Sequence, residues 1–233
     1  AQIIINHVEA RDGECIDNMD QALERAVENG VKELVVQPTH LMHGAEYDEM
    51  VEAIEKYQDK FEQVAVAEPL LGEVGDDAAV INADKEAVAK AVVAEEASEA
   101  GFKDAADAAD QGTAFVLMGH GTAHVAKVTY SQMQTQMQNL GYSNVFIGTV
   151  EGEPEETSCE SVIEAVKAAG YKNVVLRPLM VVAGDDDDSW KSQFEASGAF
   201  DKVDTQISGL GRIKAVESFY VAHTRTAIES ISE

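Results

Sequence analysis

Short apolar runs rich in β-branched residues alternate with longer stretches of helical periodicity along the whole chain. Glycine, proline or charged residues bound each run, which is typical of buried strands. Parallel strands need helical crossovers, so the alternation predicts an α/β fold. The predicted strands are Glu33–Gln37, Gln63–Ala67, Ala114–Met118, Val145–Val150, Asn173–Leu176 extending toward Met180, and Val203–Ile207.

Two of the predicted helices carry clear terminal signals. The first, Asn18–Glu28, has apolar residues at helical spacing and ends before an Asn-Gly pair. The second, Thr157–Ala169, ends at Gly170. Thr157 and Glu160, three residues apart, have the spacing of a capping box that begins this helix.

An internal repeat follows these two helices. GVKELVVQPTHLMHG starts at Gly30, and GYKNVVLRPLMVVAG starts at Gly170. Each segment predicts a turn, a buried strand and a loop at the carboxyl end of the strand, where open α/β sheets place their ligands. The repeat therefore predicts two similar α/β halves that face a shared cleft. At one constant offset it pairs Gly30 with Gly170, Lys32 with Lys172, Val35 with Val175, Pro38 with Pro178 and Gly44 with Gly184.

The repeat also predicts the domain division. Compared with the second half, the first half lacks the strand and helix that precede its matching helix. The alanine-rich, acidic stretch 72–112 is predicted to form one amphipathic helix and a solvated linker. We therefore expect an N-terminal half over 1–112 and a C-terminal half over 113–233.

Charge and composition narrow the function. The 233 residues are 45% hydrophobic, enough for a packed core, and 17 Lys and Arg against 43 Asp and Glu give a net charge of −26. Such a surface repels phosphate backbones, so we expect no nucleic-acid partner. No apolar stretch is long enough to span a membrane, and AQIIINHVEARDG lacks the pattern of a signal peptide. We expect a cytoplasmic protein, although an exported form whose signal has been removed stays open.

Sequence motifs exclude the commonest nucleotide and hydrolase sites. The chain has no Walker loop, no GxGxxG after a strand, no GxSxG and no HExxH. Its two cysteines, Cys15 and Cys159, are isolated, which argues against a disulfide framework or a structural zinc site.

Histidines at predicted strand ends are the main candidates for chemistry. His120 follows the strand AFVLM and lies between Gly119 and Gly121, where the backbone can approach a ligand closely. We favour a ligand or acid-base role for His120, with capping of the next helix as the alternative. His124 is then either a supporting residue or simply exposed.

The corresponding loop of the first half, QPTHLMHGAEY, carries His40, His43 and Glu46. Imidazole and carboxylate groups together can hold a divalent metal or move protons near neutral pH. For Glu46, a favourable interaction with the helix dipole is an equally common role.

Other polar residues are predicted to have no role in catalysis or ligand binding. His7 and His223 are interpreted as surface or packing residues. Asp185–Asp188 lacks the spacing of a calcium loop, so we expect a surface loop before a helix that begins at Ser189.

Several of these segments together resemble the anaerobic sirohydrochlorin cobalt chelatases, a class II tetrapyrrole chelatase family. They are VLMGHGT, QPTHLMHGAEY, RPLMVVAGD followed by DDDSWK, and GLG before a terminal helix containing YVAH. The resemblance covers nearly the whole chain. It implies two Rossmann-like halves around a cleft and, despite the apolar IIIN, a helix over Ala1–Arg11.

The resemblance also implies an activity. Members insert cobalt(II), sometimes iron(II), into sirohydrochlorin without ATP or another nucleotide, so Co²⁺ would be a substrate. His120 matches the active-site histidine of the family, a metal ligand and proton acceptor, and Glu46 matches a glutamate that faces the metal. Because sirohydrochlorin carries many carboxylates and the chain is acidic, Arg177 and Lys127 are candidates for offsetting that charge, with ordinary surface charges as an equally good interpretation of both.

Two segments of the family pattern are missing from this sequence. The family usually has a second metal-binding histidine after VAGD, whereas Gly184 here leads straight into the four aspartates. Its N-terminal strand with an SFGTS-like turn is also missing. Either a loop is left out of the chain as given or the histidine has been lost.

The alternatives to chelatase activity are binding proteins without enzymatic turnover. A chelatase-like protein that binds a tetrapyrrole, haem or a metal without turnover is the second hypothesis, and a two-domain periplasmic-type binding protein is a weaker third. Whether the protein forms a homo-oligomer is left open by the sequence.

Overall fold

The computed structural model describes residues 2–183 and 187–232 and confirms the predicted α/β fold. Each of the six predicted strands is present, with small differences at the ends. The strands are β1 (Glu33–Val36), β2 (Gln63–Val66), β3 (Thr113–Gly119), β4 (Val145–Thr149), β5 (Asn173–Pro178) and β6 (Lys202–Thr205).

The strands form two parallel sheets. The first contains β1 and β2, in which Val35 pairs with Ala65. The second has the order β4-β3-β5-β6, and in it Val116 of β3 pairs with Phe146 on one side and Leu176 on the other. β3 is buried along its whole length because strands flank it and helices cover it.

Helices connect and cover the strands. They are α1 (Gln2–Asp12), α2 (Met19–Glu28), α3 (Ala45–Glu55), α4 (Ala83–Glu99), α5 (Ala105–Asp110), α6 (Val128–Asn139), α7 (Cys159–Ala168), α8 (Asp187–Ala196) and α9 (Lys214–Ser230). The helix implied at the start of the chain is confirmed as α1. Helix α8 begins before the predicted Ser189, and Asp185 and Asp186 of the acidic run lie outside the described residues.

The internal repeat is present in the fold. Helices α2 and α7 have the same length and are separated by the same offset as the matched strands β1 and β5. Gly30 and Gly170 follow these helices with φ of 72° and 87°, a left-handed conformation that glycine adopts without a steric penalty.

The two predicted helix starts differ in outcome. Asn18 begins α2 in a full capping box with Gln21. The box predicted for Thr157 and Glu160 is wrong, because the Ser158 side chain caps α7 by accepting from the Ser161 amide. The Thr157 hydroxyl is buried and donates to the Pro154 carbonyl, so it is not available as a cap.

The stretch 72–112, predicted as one amphipathic helix and a solvated linker, contains two helices, α4 and α5, and α4 belongs to the core. Val88, Val92 and Ala97 of this helix are fully buried and share a core with Phe115 and Leu117 of β3. Conversely, α9, which lies in the predicted C-terminal half, packs on β1 and β2 of the first sheet. Helices therefore cross between the halves, and the division at residue 112 stays a prediction.

Two further observations concern the chain as a whole. Among the described helices, none is both long and apolar enough to cross a lipid bilayer. Cys15 is an exposed free thiol and Cys159 a buried one.

Candidate active site

A cavity of about 640 Å³ lies where loops from the carboxyl ends of β1, β3 and β5 meet. His40 and Glu46 of the first half and His120 of the second half all contribute to its wall. The described lining residues are Thr39, His40, Leu41, Met42, Gly44, Glu46, Tyr47, His120, Gly121, Thr122, Tyr130, Glu151, Leu179, Met180, Val181 and Val182. The structure thus brings three sequence-predicted residues together at one cleft, at the position that open parallel sheets favour for ligands.

His120 presents an accessible imidazole to this cavity. It follows directly on β3, and 64% of its side chain is exposed. Nδ1 lies 3.3 Å from the Gly121 carbonyl oxygen and 3.4 Å from Oε1 of Glu151. An accessible imidazole beside a carboxylate can bind a divalent metal or exchange a proton.

The glycines around His120 have packing roles. A Cβ at Gly119 would lie 2.2 Å from Cε1 of Tyr130, so only glycine leaves room for this buried ring. Gly121 has φ +91°, and its amide donates to the Tyr130 hydroxyl over 3.1 Å. Burial raises the pKa of Tyr130, partly offset by this hydrogen bond. Tyr130 thus holds the turn that positions His120.

Glu46 reaches the cavity from the other half of the molecule. It lies in the first turn of α3, which begins after Gly44, and its side chain is exposed. A carboxylate in the first turn of a helix interacts favourably with the helix dipole, and it also faces the space beside His120. The two roles proposed for Glu46 are therefore compatible.

His40 is the second histidine of the cavity wall. Its carbonyl oxygen accepts from the Leu70 amide and from the Tyr220 hydroxyl, which fixes its backbone. Burial lowers the pKa of His40, and the negative charge of Glu46 opposes this effect. The imidazole is therefore neutral over most of the physiological pH range.

His43 and His124 do not line the cavity among the described residues. His43 stacks on Tyr47 at 4.2 Å between ring centroids and lies 2.7 Å from Oε2 of Glu68. Nδ1 of His124 accepts from the Ala126 amide, so its Nε2–H donates to Asp48 over 3.1 Å. His124 therefore caps the turn before α6 and links the two halves beside the cleft.

The expectation that Arg177 faces the substrate is wrong. Its side chain is 1% exposed, and Nη1 donates to Glu99 and Gln206, away from the cavity. Successive side chains of a strand point to opposite faces, and position 177 of β5 faces α4. Lys127 is paired with Glu153 at 2.9 Å and is also missing from the described lining.

Glu151 is a cavity residue that sequence reasoning missed. It follows β4 as His120 follows β3, and its amide donates to the His120 carbonyl oxygen. The rule that strand ends carry functional residues would have found it. Within residues 2–183 and 187–232, no three His, Cys, Asp or Glu side chains form a preassembled metal site.

The remaining histidines agree with their interpretation as ordinary residues. His7 is exposed on α1. His223 of α9 is largely buried, with its ring nitrogens 3.1 Å from the Glu68 carbonyl oxygen and from Oδ1 of Asp84. It is therefore a packing residue between α9, α4 and the end of β2.

Comparison with known proteins gives consistent matches. The family model described as Cobalt chelatase (CbiK) matches residues 1–229. A sirohydrochlorin cobaltochelatase of Salmonella typhimurium is 28% identical over 240 residues, which cover 99% of this chain and 82% of that protein. The sirohydrochlorin cobaltochelatase CbiKC of Nitratidesulfovibrio vulgaris is 28% identical over 228 residues, covering 93% of this chain and 73% of that protein.

Solved structures support the fold. SirB from Bacillus subtilis with Fe³⁺ has a TM-score of 0.62 at 17% identity, covering 94% of this chain and 82% of that one. The sirohydrochlorin chelatase SirB from Bacillus subtilis subspecies spizizenii in complex with cobalt has a TM-score of 0.54 at 14% identity, covering 98% of this chain and 87% of that one.

Proposed function

The chain belongs to the cobalt chelatase (CbiK) family, and we propose that it inserts cobalt(II) into sirohydrochlorin without ATP. The single observation that carries the proposal is the shared cavity. His120 from the second half and Glu46 from the first half both line it, in agreement with the roles that the resemblance assigns to them. Both relatives reported above carry the name sirohydrochlorin cobaltochelatase.

The metal is a substrate in this proposal, held first by the protein and then by the macrocycle. Imidazole and carboxylate ligands accept cobalt(II), and also iron(II). We assign His120 and Glu46 as the groups that receive the ion, and Glu151 as a third, because its carboxylate lies beside the His120 ring.

The macrocycle must lose its pyrrole N–H protons as the metal enters. Carboxylates at the cavity can accept these protons and pass them to solvent, since both Glu46 and Glu151 line the wall. The apolar side chains of Leu41, Met180 and Val182, which line the cavity and are not buried, offer surface to the flat faces of the ring. No nucleotide is needed in this scheme, because the driving force is the stability of the metal complex.

We also propose a cytoplasmic location and leave the oligomeric state to measurement. The two cysteines are both free, as is usual for proteins of reducing compartments.

The test is to incubate the protein anaerobically with sirohydrochlorin and cobalt(II). The change in sirohydrochlorin absorbance then measures the rate of metal insertion. We expect His120→Ala and Glu46→Gln each to lower kcat/KM by about 100-fold, the scale of losing a positioned catalytic group. His7→Gln is the matched control, since His7 is an exposed histidine on α1. A wild-type rate no faster than the uncatalysed reaction would refute the proposal. Tetrapyrrole binding without insertion would then favour the non-catalytic binding protein.

A further inference from the structure

The cavity has an unusual charge balance for a site that takes a polycarboxylate. This inference rests on the proposed function, because it concerns the carboxylates of sirohydrochlorin. The described lining residues include the carboxylates Glu46 and Glu151 but no lysine or arginine. Lys127 is paired with Glu153, and Arg177 is buried against Glu99. A substrate carboxylate at this wall therefore needs a donor that is not a cationic side chain.

His40 is a fixed part of that wall. The Leu70 amide and the Tyr220 hydroxyl hold its carbonyl oxygen at 3.1 Å and 3.0 Å. The His40 ring meets the Tyr47 ring edge to face, with centroids 6.4 Å apart. The imidazole thus has a defined position before substrate arrives, which reduces the entropy lost on binding.

The environment of its two nitrogens selects one tautomer. Nδ1 is enclosed and has no hydrogen-bond partner among the described residues. A proton on Nδ1 would leave a buried N–H group without an acceptor, which is costly, whereas a bare lone pair there costs less. The proton of the neutral ring therefore lies on Nε2, the other ring nitrogen of a side chain that lines the cavity.

This tautomer decides what His40 can do. While Nε2 carries the proton it has no lone pair for a metal or a second proton, and freeing that lone pair would place the proton on the enclosed Nδ1, where the N–H group has no acceptor in the described part of the chain. The Nε2–H group can donate one hydrogen bond to an anion. His120 differs, because its accessible ring lies beside Glu151.

We propose that His40 is a specificity-determining residue that donates its Nε2–H to a peripheral carboxylate of the tetrapyrrole. It holds the macrocycle and takes no part in metal delivery or proton removal. The contact lets an acidic cavity recognise an anionic substrate while its carboxylates stay free for the metal.

The experiment compares His40→Leu, which removes the donor, with His40→Gln, which retains an N–H donor. Binding of metal-free sirohydrochlorin is followed by its fluorescence, and insertion kinetics are measured for both substrates. We expect His40→Leu to raise Kd and KM for sirohydrochlorin about tenfold to a hundredfold, the scale for a hydrogen bond to a charged group. We expect kcat and the KM for cobalt to change by less than about threefold, and His40→Gln to recover most of the affinity.

Each contrary result overturns the inference. An unchanged Kd in a folded His40→Leu protein would exclude the contact. A fall in kcat or a rise in the cobalt KM, with sirohydrochlorin affinity intact, would make His40 a base or a metal ligand instead. The binding measurement separates this inference from the proposed function. A wild-type protein that binds sirohydrochlorin without inserting cobalt refutes only the latter, and weaker binding by His40→Leu would still support the contact.

Discussion

Replacing Gly119 by alanine should destabilise the protein and displace His120. The added Cβ would lie 2.2 Å from Cε1 and 2.9 Å from Cζ of Tyr130, so the ring must retreat by about 1 Å or more to reach ordinary contact distance. Tyr130 is only 3% exposed and has little room to move. Overpacking costs about 1–3 kcal/mol and loss of the hydrogen bond from the Gly121 amide about 0.5–1.5 kcal/mol, which gives about 1.5–4.5 kcal/mol in total.

Urea unfolding measures this loss, and insertion kinetics measure its effect on the site. Because the turn after Gly119 carries His120, we expect kcat to fall by about 10-fold to 100-fold in the protein that remains folded. Tyr130→Phe removes only the hydrogen bond and should cost about 1 kcal/mol.

Two further variants isolate the steric cause. Gly141→Ala adds a methyl at a left-handed glycine with no atom within 4 Å, so it should cost about 1–2 kcal/mol from backbone strain and leave kcat unchanged. In a Tyr130→Leu background the Gly119→Ala cost should shrink, since the clashing ring is gone. An equal cost in both backgrounds would refute the reasoning.

Two other predictions follow from the charges of the molecule. With a net charge of −26, the rate at subsaturating sirohydrochlorin should rise with added salt, whereas the rate at subsaturating cobalt(II) should fall, because screening weakens repulsion in one case and attraction in the other. Initial rates in increasing sodium chloride test this, and changes of the same sign for both substrates would contradict it. Glu96 is fully buried, and its pKa is raised well above the ordinary value by burial, with Arg177 opposing and Glu99 reinforcing the effect. Because a raised carboxyl pKa lets the folded state keep its proton, its contribution to stability is lost as pH rises above about 4.3 toward the folded value. In urea unfolding, Glu96→Gln should therefore gain stability relative to wild type as pH rises above about 4.3, and a pH-independent difference would count against the assignment.

Local patterns were sufficient for the order and type of most elements. Apolar runs bounded by breakers predicted β3, β4 and β5 because strands buried on both sides read as continuous hydrophobic stretches. Repeated glycine signals located the ends of α2 and α7, since a left-handed residue after a helix strongly favours glycine.

The burial of charged residues in α4 was not predictable from local sequence patterns. Helix α4 is rich in alanine and acidic residues, so its sequence resembles a solvated segment, yet Lys85 and Glu96 are fully buried in it. Lys85 is tolerated because its ammonium donates to the carbonyl oxygens of Leu71 and Glu73, although burial lowers its pKa to about 8. Such partners are distant in the chain, and no local pattern shows them.

The candidate site likewise combines features that local sequence predicts with features that depend on tertiary packing. Repeats and strand ends are local properties, so sequence patterns were enough to place His40, Glu46 and His120 after predicted strands. Their meeting in one cavity, the addition of Glu151 and the direction of Arg177 toward α4 became visible only in the folded chain. Side-chain direction and partner choice depend on how the sheets and helices pack, and packing is fixed by contacts between residues far apart in sequence.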